Sequence, residues 1–517
     1  MEAAREGPLT AAEAAREGPL TATPARIAAG AAACGVLVLL FAVVLRLPWA
    51  GDLGIHAATV ERLRHDLLDP GDPLVAADAD SPYYSPWTLL LGCVAKATGL
   101  GVFVVLRVGA LLSLAVLAGG VWVFAGTFLE RAAAGWRRAA VTGLVLLCLV
   151  LLWGTTLFNW SGYLGLNSLA LCVAYPSTFA LGASFWLWAL LRRAVSWAHF
   201  LGAGVLWAVI LLSHQFTGVV ASLGALAMVL GARPWPGPAS WARLAGGLAA
   251  GLLLIGLWPY YSFFALFGAG DNLEAIHRSL YRDLPARLWL VALVGGAALV
   301  LRWRRDRRDP LVLFCLSGLV VFAAGGLTGH WSWGRVLPAV LIPAQVAAGL
   351  EVFLAPRRAV RIALGWAVAA ALLVGAWTQS GTLGYVLRRS ALPSSVAAKY
   401  REPWGGYHWI TPWVAYGDVV LAKTFPARQI PAYGAYTVAP GYPDFFLDDE
   451  GAREAAVETY FADRAPRRDR LGVLRRYGVK WVVAYRSDGG LPAGDPALER
   501  VAVGPRGQQL YRVRVSG

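Results

Sequence analysis

GDLGIHAATV, residues 51–60, follows directly on a hydrophobic run, 26–46, and sets an acid, Asp52, and a histidine, His56, where the chain leaves that run. Beyond it Leu53, Ala57, Val60, Leu63 and Leu67 recur at spacings of 4, 3, 3 and 4, one apolar stripe of a helix, while Glu61, Arg62, His65 and Asp66 face elsewhere. The pattern predicts an amphipathic helix lying on a membrane surface. Asp52 stands just before its first turn, so the plainest reading is an N-cap accepting backbone N–H bonds, a role compatible with chemistry.

Outward from this stretch, hydrophobic runs recur to residue 379. Of the 517 residues 57% are hydrophobic and 15% charged, which points to an all-α polytopic membrane protein. Spans are expected at 26–46, 102–128, 139–157, 175–191, 198–213, 216–232, 244–264, 288–301, 310–327, 335–354 and 359–379, about 11 transmembrane helices. With the N-terminus in the cytoplasm, Arg131, Arg137 and Arg138, Arg192 and Arg193, Arg233 and Arg243, RWRRDRR (302–308), and Arg357, Arg358 and Arg361 all fall on the cytoplasmic side. The net charge of +15 therefore reads as positive-inside topology, with no nucleic-acid partner.

The run SPWTLLLGCVAKAT, 85–98, is too short and interrupted to span and is expected as a re-entrant or juxtamembrane helix. Residues 1–25 hold two copies of EAAREGPLTA and are expected to form a disordered cytoplasmic tail; 26–380 form the transmembrane domain, with a first outer loop at 47–84. Without a short apolar core and cleavage site at the N-terminus, the first run is expected to stay as a helix of the membrane domain. Residues 381–517 are expected as a small extracytoplasmic α/β domain, because RRDRLGVLRRYGVKWVVAY reads as a helix followed by a buried strand. The five cysteines, Cys34, Cys93, Cys148, Cys172 and Cys315, lie in or beside apolar segments and offer neither a disulfide framework nor zinc spacing.

Residues able to do chemistry gather in the outer loops. TGHWSWGR, 328–335, places His330 and Arg335 at the outer start of a span. An arginine facing lipid is costly, so a phosphate or acid partner competes with the simpler reading of a snorkelling arginine in an aromatic belt. His214 lies in SHQFTG between two spans, and Asp271, Glu274 and Arg282 lie in a mixed-charge loop, 268–287. Asp69, Asp72, Asp78 and Asp80 fall in DPGDP and ADADSP, which read first as solvated turns. The cytoplasmic loops are short and basic, and no GxxxxGK[ST] phosphate loop is present.

An acid opening a long first outer loop, a surface helix, the Pro/Tyr-rich return SPYYSPW (81–87) and an outer C-terminal domain together resemble the GT-C superfamily of membrane glycosyltransferases. YGVKWVVAY, 477–485, is similar to the outer domains of GT-C-like bacterial proteins. The resemblance implies a polyprenyl-phosphate sugar donor, a glycan, lipid or protein acceptor outside the cytoplasmic membrane, and a single inverting displacement. A phosphate leaving group needs little acid assistance, so one base suffices, and Asp52 is the candidate. Arg335, His330 and His56 are the candidate donor-phosphate ligands. Asp69, Asp72, Asp78, Asp80, Asp271, Glu274, Arg282 and His214 are candidates for a second acid or substrate contact. Many GT-C enzymes pair two acids in this loop, whereas Leu53 follows Asp52 here, which leaves the second acid and a divalent metal (Mg or Mn) open. The alternatives are a lipid or polysaccharide transporter, which would want repeated broken helices with charges at mid-membrane, and a non-catalytic scaffold of GT-C architecture.

Overall fold

The computed structural model describes residues 24–130, 135–268 and 271–514; the tandem EAAREGPLTA copies lie outside the described residues. The first hydrophobic run forms α1 (Pro24–Arg46), and the amphipathic stretch forms α2 (Leu53–His65). The interrupted run is α3 (Pro86–Thr98), opened by a reciprocal capping box between Ser85 and Thr88 and closed by Gly99 at φ 71°. α3 packs along α2 and against α4 (Val102–Ala125).

The remaining hydrophobic runs are also helical: α5 (Gly135–Leu151), a short α6 (Leu166–Cys172), α7 (Pro176–Arg193), α8 (Trp197–Ser213), α9 (Gln215–Leu230), α10 (Pro238–Gly256), the short α11 (Asp271–His277), α12 (Leu284–Arg305), α13 (Pro310–Thr328), α14 (Pro338–Leu354) and α15 (Arg358–Thr378). By length and composition six segments among the described residues are able to cross a membrane: Val102–Phe128, Pro238–Gly256, Leu284–Arg305, Pro310–Thr328, Trp331–Leu354 and Arg358–Thr378. α1, α7, α8 and α9 contribute shorter apolar helices, and the chain is a multi-pass membrane protein.

Two expected spans shift. The run expected at 244–264 begins at Pro238, which is preorganised for a helix start, and ends at Gly256 before Trp258-Pro259. The run expected at 139–157 stops at Leu151, because the chain beyond it leaves the helix to pack Gly154 against the backbone of Ala286 and Arg287. Segment Trp331–Leu354 is the axis of the bundle, with 83% of its apolar window buried against 17–39% for the other five.

In the C-terminal region, called the outer region after the side expected for it, β1 (Val419–Leu421), β2 (Tyr436–Thr437), α16 (Glu450–Phe461), α17 (Arg467–Arg476), β3 (Val479–Ala484), β4 (Leu498–Val503) and β5 (Gln509–Val513) build a sheet in the order β2-β1-β3-β5-β4. β2, β1 and β3 are parallel, and β5 is antiparallel to both β3 and β4. The apolar run of YGVKWVVAY is the central strand, β3, as its buried pattern predicts.

This region is not a detached appendage. Thr437 donates its N–H to the Leu74 carbonyl at 2.8 Å and Val75 bridges in parallel to Thr437, so the first outer loop extends the sheet past β2. Arg62, with no exposed surface, donates from α2 to the carbonyls of Gly434 (2.9 Å) and Ala435 (2.5 Å) and stacks 3.6 Å from the centroid of the Tyr436 ring. α2 is therefore not a free amphipathic helix with a solvated polar face. Every residue from Leu53 to Val60 is buried, together with Arg62 and Leu63, because the outer region packs against Gly54 and Arg62, while His65 and Asp66 stay exposed.

Candidate active site

The turn after α1 is built from backbone that few residues adopt. Gly51 has φ 51° and packs against the Tyr175 hydroxyl, so a side chain there would meet both strain and a clash. Tyr175 donates its hydroxyl to the Ala50 carbonyl, and Tyr442, from the outer region, donates to the Gly51 carbonyl at 2.9 Å. The next residue is Asp52, fixed at φ −87°, ψ 10° rather than in the extended conformation of an N-cap, and its side chain makes no capping hydrogen bond. The cap reading fails, and the carboxyl is left for other partners.

Two guanidiniums act on that carboxyl, Arg335 first and Arg428 second, while Tyr83, Tyr175 and Tyr442 stand within reach of its charge. Burial pushes Asp52 above the usual carboxylate range, and the two arginines pull it only part of the way back. Arg428 comes from the outer region. Its Nε donates to the Gly441 carbonyl at 2.7 Å and its guanidinium lies 5.3 Å from the Tyr442 ring centroid.

Arg335 comes from the 3-10 turn Trp331–Val336 that leads into α14. Glu274 holds the turn by accepting from the Ser332 N–H (2.9 Å) and hydroxyl (2.6 Å), and Tyr163 donates to the Gly334 carbonyl at 3.1 Å. Arg335 is only 6% exposed, lying 4.7 Å from the Phe216 ring and 5.3 Å from the Trp160 ring. Nη2 donates to the Ser161 hydroxyl at 2.9 Å, but Nε and Nη1 are buried without a protein partner. Unmade hydrogen bonds on a buried cation are expensive, so these two N–H groups mark a place for an anion.

His214 strengthens the reading. Its Nδ1 accepts the Thr217 backbone N–H at 3.2 Å, which in the neutral ring leaves the proton on Nε2, and Nε2 lies 3.5 Å from Arg335 Nη2. His214 thus stands directly beside the guanidinium that holds the two unpartnered nitrogens. His56 lies edge-on to Tyr175, 4.8 Å between centroids, with Nδ1 buried and unpartnered. Burial pulls His56 down to about 3, so it is a neutral imidazole at physiological pH and contributes a hydrogen bond rather than a charge.

No protein-family model matches this chain, and no curated protein matches it in sequence. Solved structures do match. ArnT from Cupriavidus metallidurans in the apo state is 16% identical with a TM-score of 0.54, over 93% of this chain and 97% of ArnT. The chain has the GT-C fold. ArnT bound to undecaprenyl phosphate matches at 17% identity and a TM-score of 0.53, over 92% of this chain and 96% of that one. The arabinofuranosyltransferase AftD from Mycobacteria matches at 16% and 0.54 over 95% of this chain, which spans 42% of AftD.

Within this GT-C fold the other sequence candidates fall into three groups. Asp72 is fully buried, against its reading as a solvated turn. Its Oδ1 does accept from Leu74 N and Val75 N, each at 2.7 Å, as a turn residue would, but the outer region closes over it. It meets Asp444, and Oδ2 of each acid is buried without a donor. Burial first, and Asp444 second, push Asp72 up to about 8, so the two carboxyls share a proton at neutral pH. Asp69, Asp78, Asp80 and Arg282 are exposed, and His330 is exposed with its ring stacked on Trp333 at 5.4 Å. Glu274 anchors the Arg335 turn, while the side chain of Asp271 lies outside the described residues.

Among the described residues no group of three or more His, Cys, Asp or Glu side chains is arranged to hold a metal ion. The surroundings of Asp52 do not suit Mg or Mn either, because Arg335 and Arg428 already supply positive charge there and would repel a divalent cation. Sequence reading missed Arg428, Tyr442, Tyr83, Tyr175 and Asp444. Only the repeated aromatic and acidic residues of SPYYSPW and PGYPDFF hinted at them.

Proposed function

We propose that the chain transfers a sugar from a polyprenyl-phosphate donor to an acceptor hydroxyl on a glycan, lipid or protein at the extracytoplasmic face of the cytoplasmic membrane, with inversion at the anomeric carbon. One observation carries this reading: a carboxyl released from helix capping, Asp52, faces a buried arginine, Arg335, that keeps two N–H groups without a protein partner. A lipid-linked donor is supported by the shared fold with ArnT, which has been seen with undecaprenyl phosphate bound.

In this mechanism Asp52 accepts the proton of the attacking hydroxyl, and burial makes it a stronger base than an exposed aspartate. Arg335 Nε and Nη1, with His214 Nε2, receive the phosphate oxygens as the glycosidic bond breaks and charge grows on the leaving group. Arg428 adds positive charge from the outer side. The sugar's anomeric carbon passes from phosphate oxygen to acceptor oxygen, and the proton ends on Asp52.

The test is Asp52→Asn. The amide keeps the shape but takes no proton, so transfer from polyprenyl-phosphate sugars should fall by about 10²–10⁴-fold. Thermal stability should hold, because Asp52 caps nothing. Transfer at the wild-type rate would remove Asp52 from the mechanism.

A further inference from the structure

A cavity lies behind the Asp52 turn. It is a groove of about 530 Å³ between the last turn of α1, the first turns of α4 and the segment 400–408 of the outer region. Leu53 lines it, and neither Asp52 nor Arg335 does. Its wall carries Arg46, Arg107 and His408 and no acid. Arg107 is fixed in place, with Nε donating to the Leu45 carbonyl and Nη1 to the Phe103 carbonyl, both at 3.0 Å.

Aromatic rings form much of the rest of the wall. Trp49 stacks on Tyr433 at 5.9 Å, and Trp404 donates its N–H to the Trp49 carbonyl at 2.8 Å. Trp49 is 7% exposed, yet its Nε1 is buried with no hydrogen-bond partner, a donor left over at the groove. Below the groove, Phe41, Leu45, Val104 and Val108 are 45–55% exposed on the flanks of α1 and α4. Cations and an indole donor therefore stand directly above an apolar surface, which matches a lipid with its phosphate up and its chains down.

We propose that this groove binds the phosphodiester headgroup of an anionic glycerophospholipid, with its acyl chains lying on the apolar flanks of α1 and α4. The absence of acids from the wall selects a negative headgroup over a zwitterionic one. Exclusion of Asp52 from the wall argues against the sugar donor, whose anomeric carbon must reach that residue. A lipid seated here braces the Trp49–Leu53 turn from behind. Only the exclusion of the sugar donor rests on the transferase reading; the choice of an anionic headgroup does not.

The experiment is native mass spectrometry of the full chain, titrated with phosphatidylglycerol, phosphatidylcholine, undecaprenyl phosphate or inorganic phosphate. Phosphatidylglycerol should be retained in preference to phosphatidylcholine. Arg46→Gln, at an exposed side chain, should lose about fivefold of that preference, and Arg46→Gln with Arg107→Gln should lose nearly all of it. Should the double variant unfold, the single variant decides. Equal retention of the two phospholipids, or a preference unchanged in Arg46→Gln, overturns the proposal. Displacement of phosphatidylglycerol by undecaprenyl phosphate at equal concentration would give the groove to the donor, and displacement by inorganic phosphate would make it a free-anion site; either result also overturns it.

Discussion

Two arginines are buried at opposite ends of the central helix α14, and they differ in what meets them. Near its C-terminal end Arg302, 9% exposed, donates Nε and Nη2 to Asp309 at 3.0 and 2.7 Å and Nη1 to Glu351 at 2.9 Å. Arg305 reaches the same Glu351, and Asp309 also caps α13. Just before the N-terminal end Arg335, 6% exposed, has one serine hydroxyl and two unpartnered N–H groups. A low-dielectric bundle accepts a cation cheaply only when a counter-charge comes with it. The first arginine brings its counter-charges from the chain, so it holds α12, α13 and α14 together. The second has, among the described residues, no acid within hydrogen-bond reach: only the more distant charge of Asp52 acts on it, and its Nε and Nη1 stay open to a further acceptor.

The largest stability effect should follow from breaking the paired end. Arg302→Gln leaves Asp309 buried without its guanidinium and Glu351 with Arg305 alone, a loss of about 3–5 kcal/mol. The measurement is the unfolding midpoint of purified protein in detergent, and a midpoint within a degree of wild type would end the contrast between the two ends. Arg335→Gln is expected to behave in the opposite way. Stability should change far less than in Arg302→Gln, since no hydrogen-bonded ion pair is broken, while undecaprenyl phosphate binding weakens by about tenfold to a hundredfold. Arg335→Lys sharpens the point: it keeps the charge but loses the planar fork, and should bind with intermediate affinity. A variant that unfolds early yet binds normally would make Arg335 a structural anchor.

The same contrast explains what could be read in the sequence. A bilayer imposes long apolar runs, so the helices and the basic loops between them were legible, and Asp52 and Arg335 stood out as ionisable groups at the ends of such runs. The partners of Asp52 were not. Arg428 and Tyr442 reach it across more than 370 residues of chain, from stretches whose local pattern says only turn. The burial of α2 was hidden for the same reason: Arg62 on its polar face is covered by Gly434 and Ala435, which no periodicity in 53–65 encodes. Asp72 is the clearest case. Its turn chemistry was read correctly from DPGDP, but its burial is decided by Thr437 docking on Leu74.

That docking sets up the smallest expected effect, and its sign can be worked out. Asp72 is raised in the folded protein from its ordinary 3.8 to about 8, first by burial and then by Asp444. A group that holds its proton more tightly when folded contributes stability that is complete below its ordinary value and is lost as pH rises through the folded one. The seam between the first loop and the outer region should therefore weaken between about pH 4 and about pH 8. Asp72→Asn keeps an oxygen for the Leu74 and Val75 N–H groups and offers Asp444 a permanent N–H donor in place of the shared proton. At pH 8.5 the variant should be more stable than wild type, and below pH 4 the two should coincide. Hydrogen exchange at the Thr437 amide across that range reports the seam directly, without waiting for the bundle to unfold. Faster exchange in the variant at every pH would mean that Asp72 works as a charged group, and the shared proton would have to be abandoned.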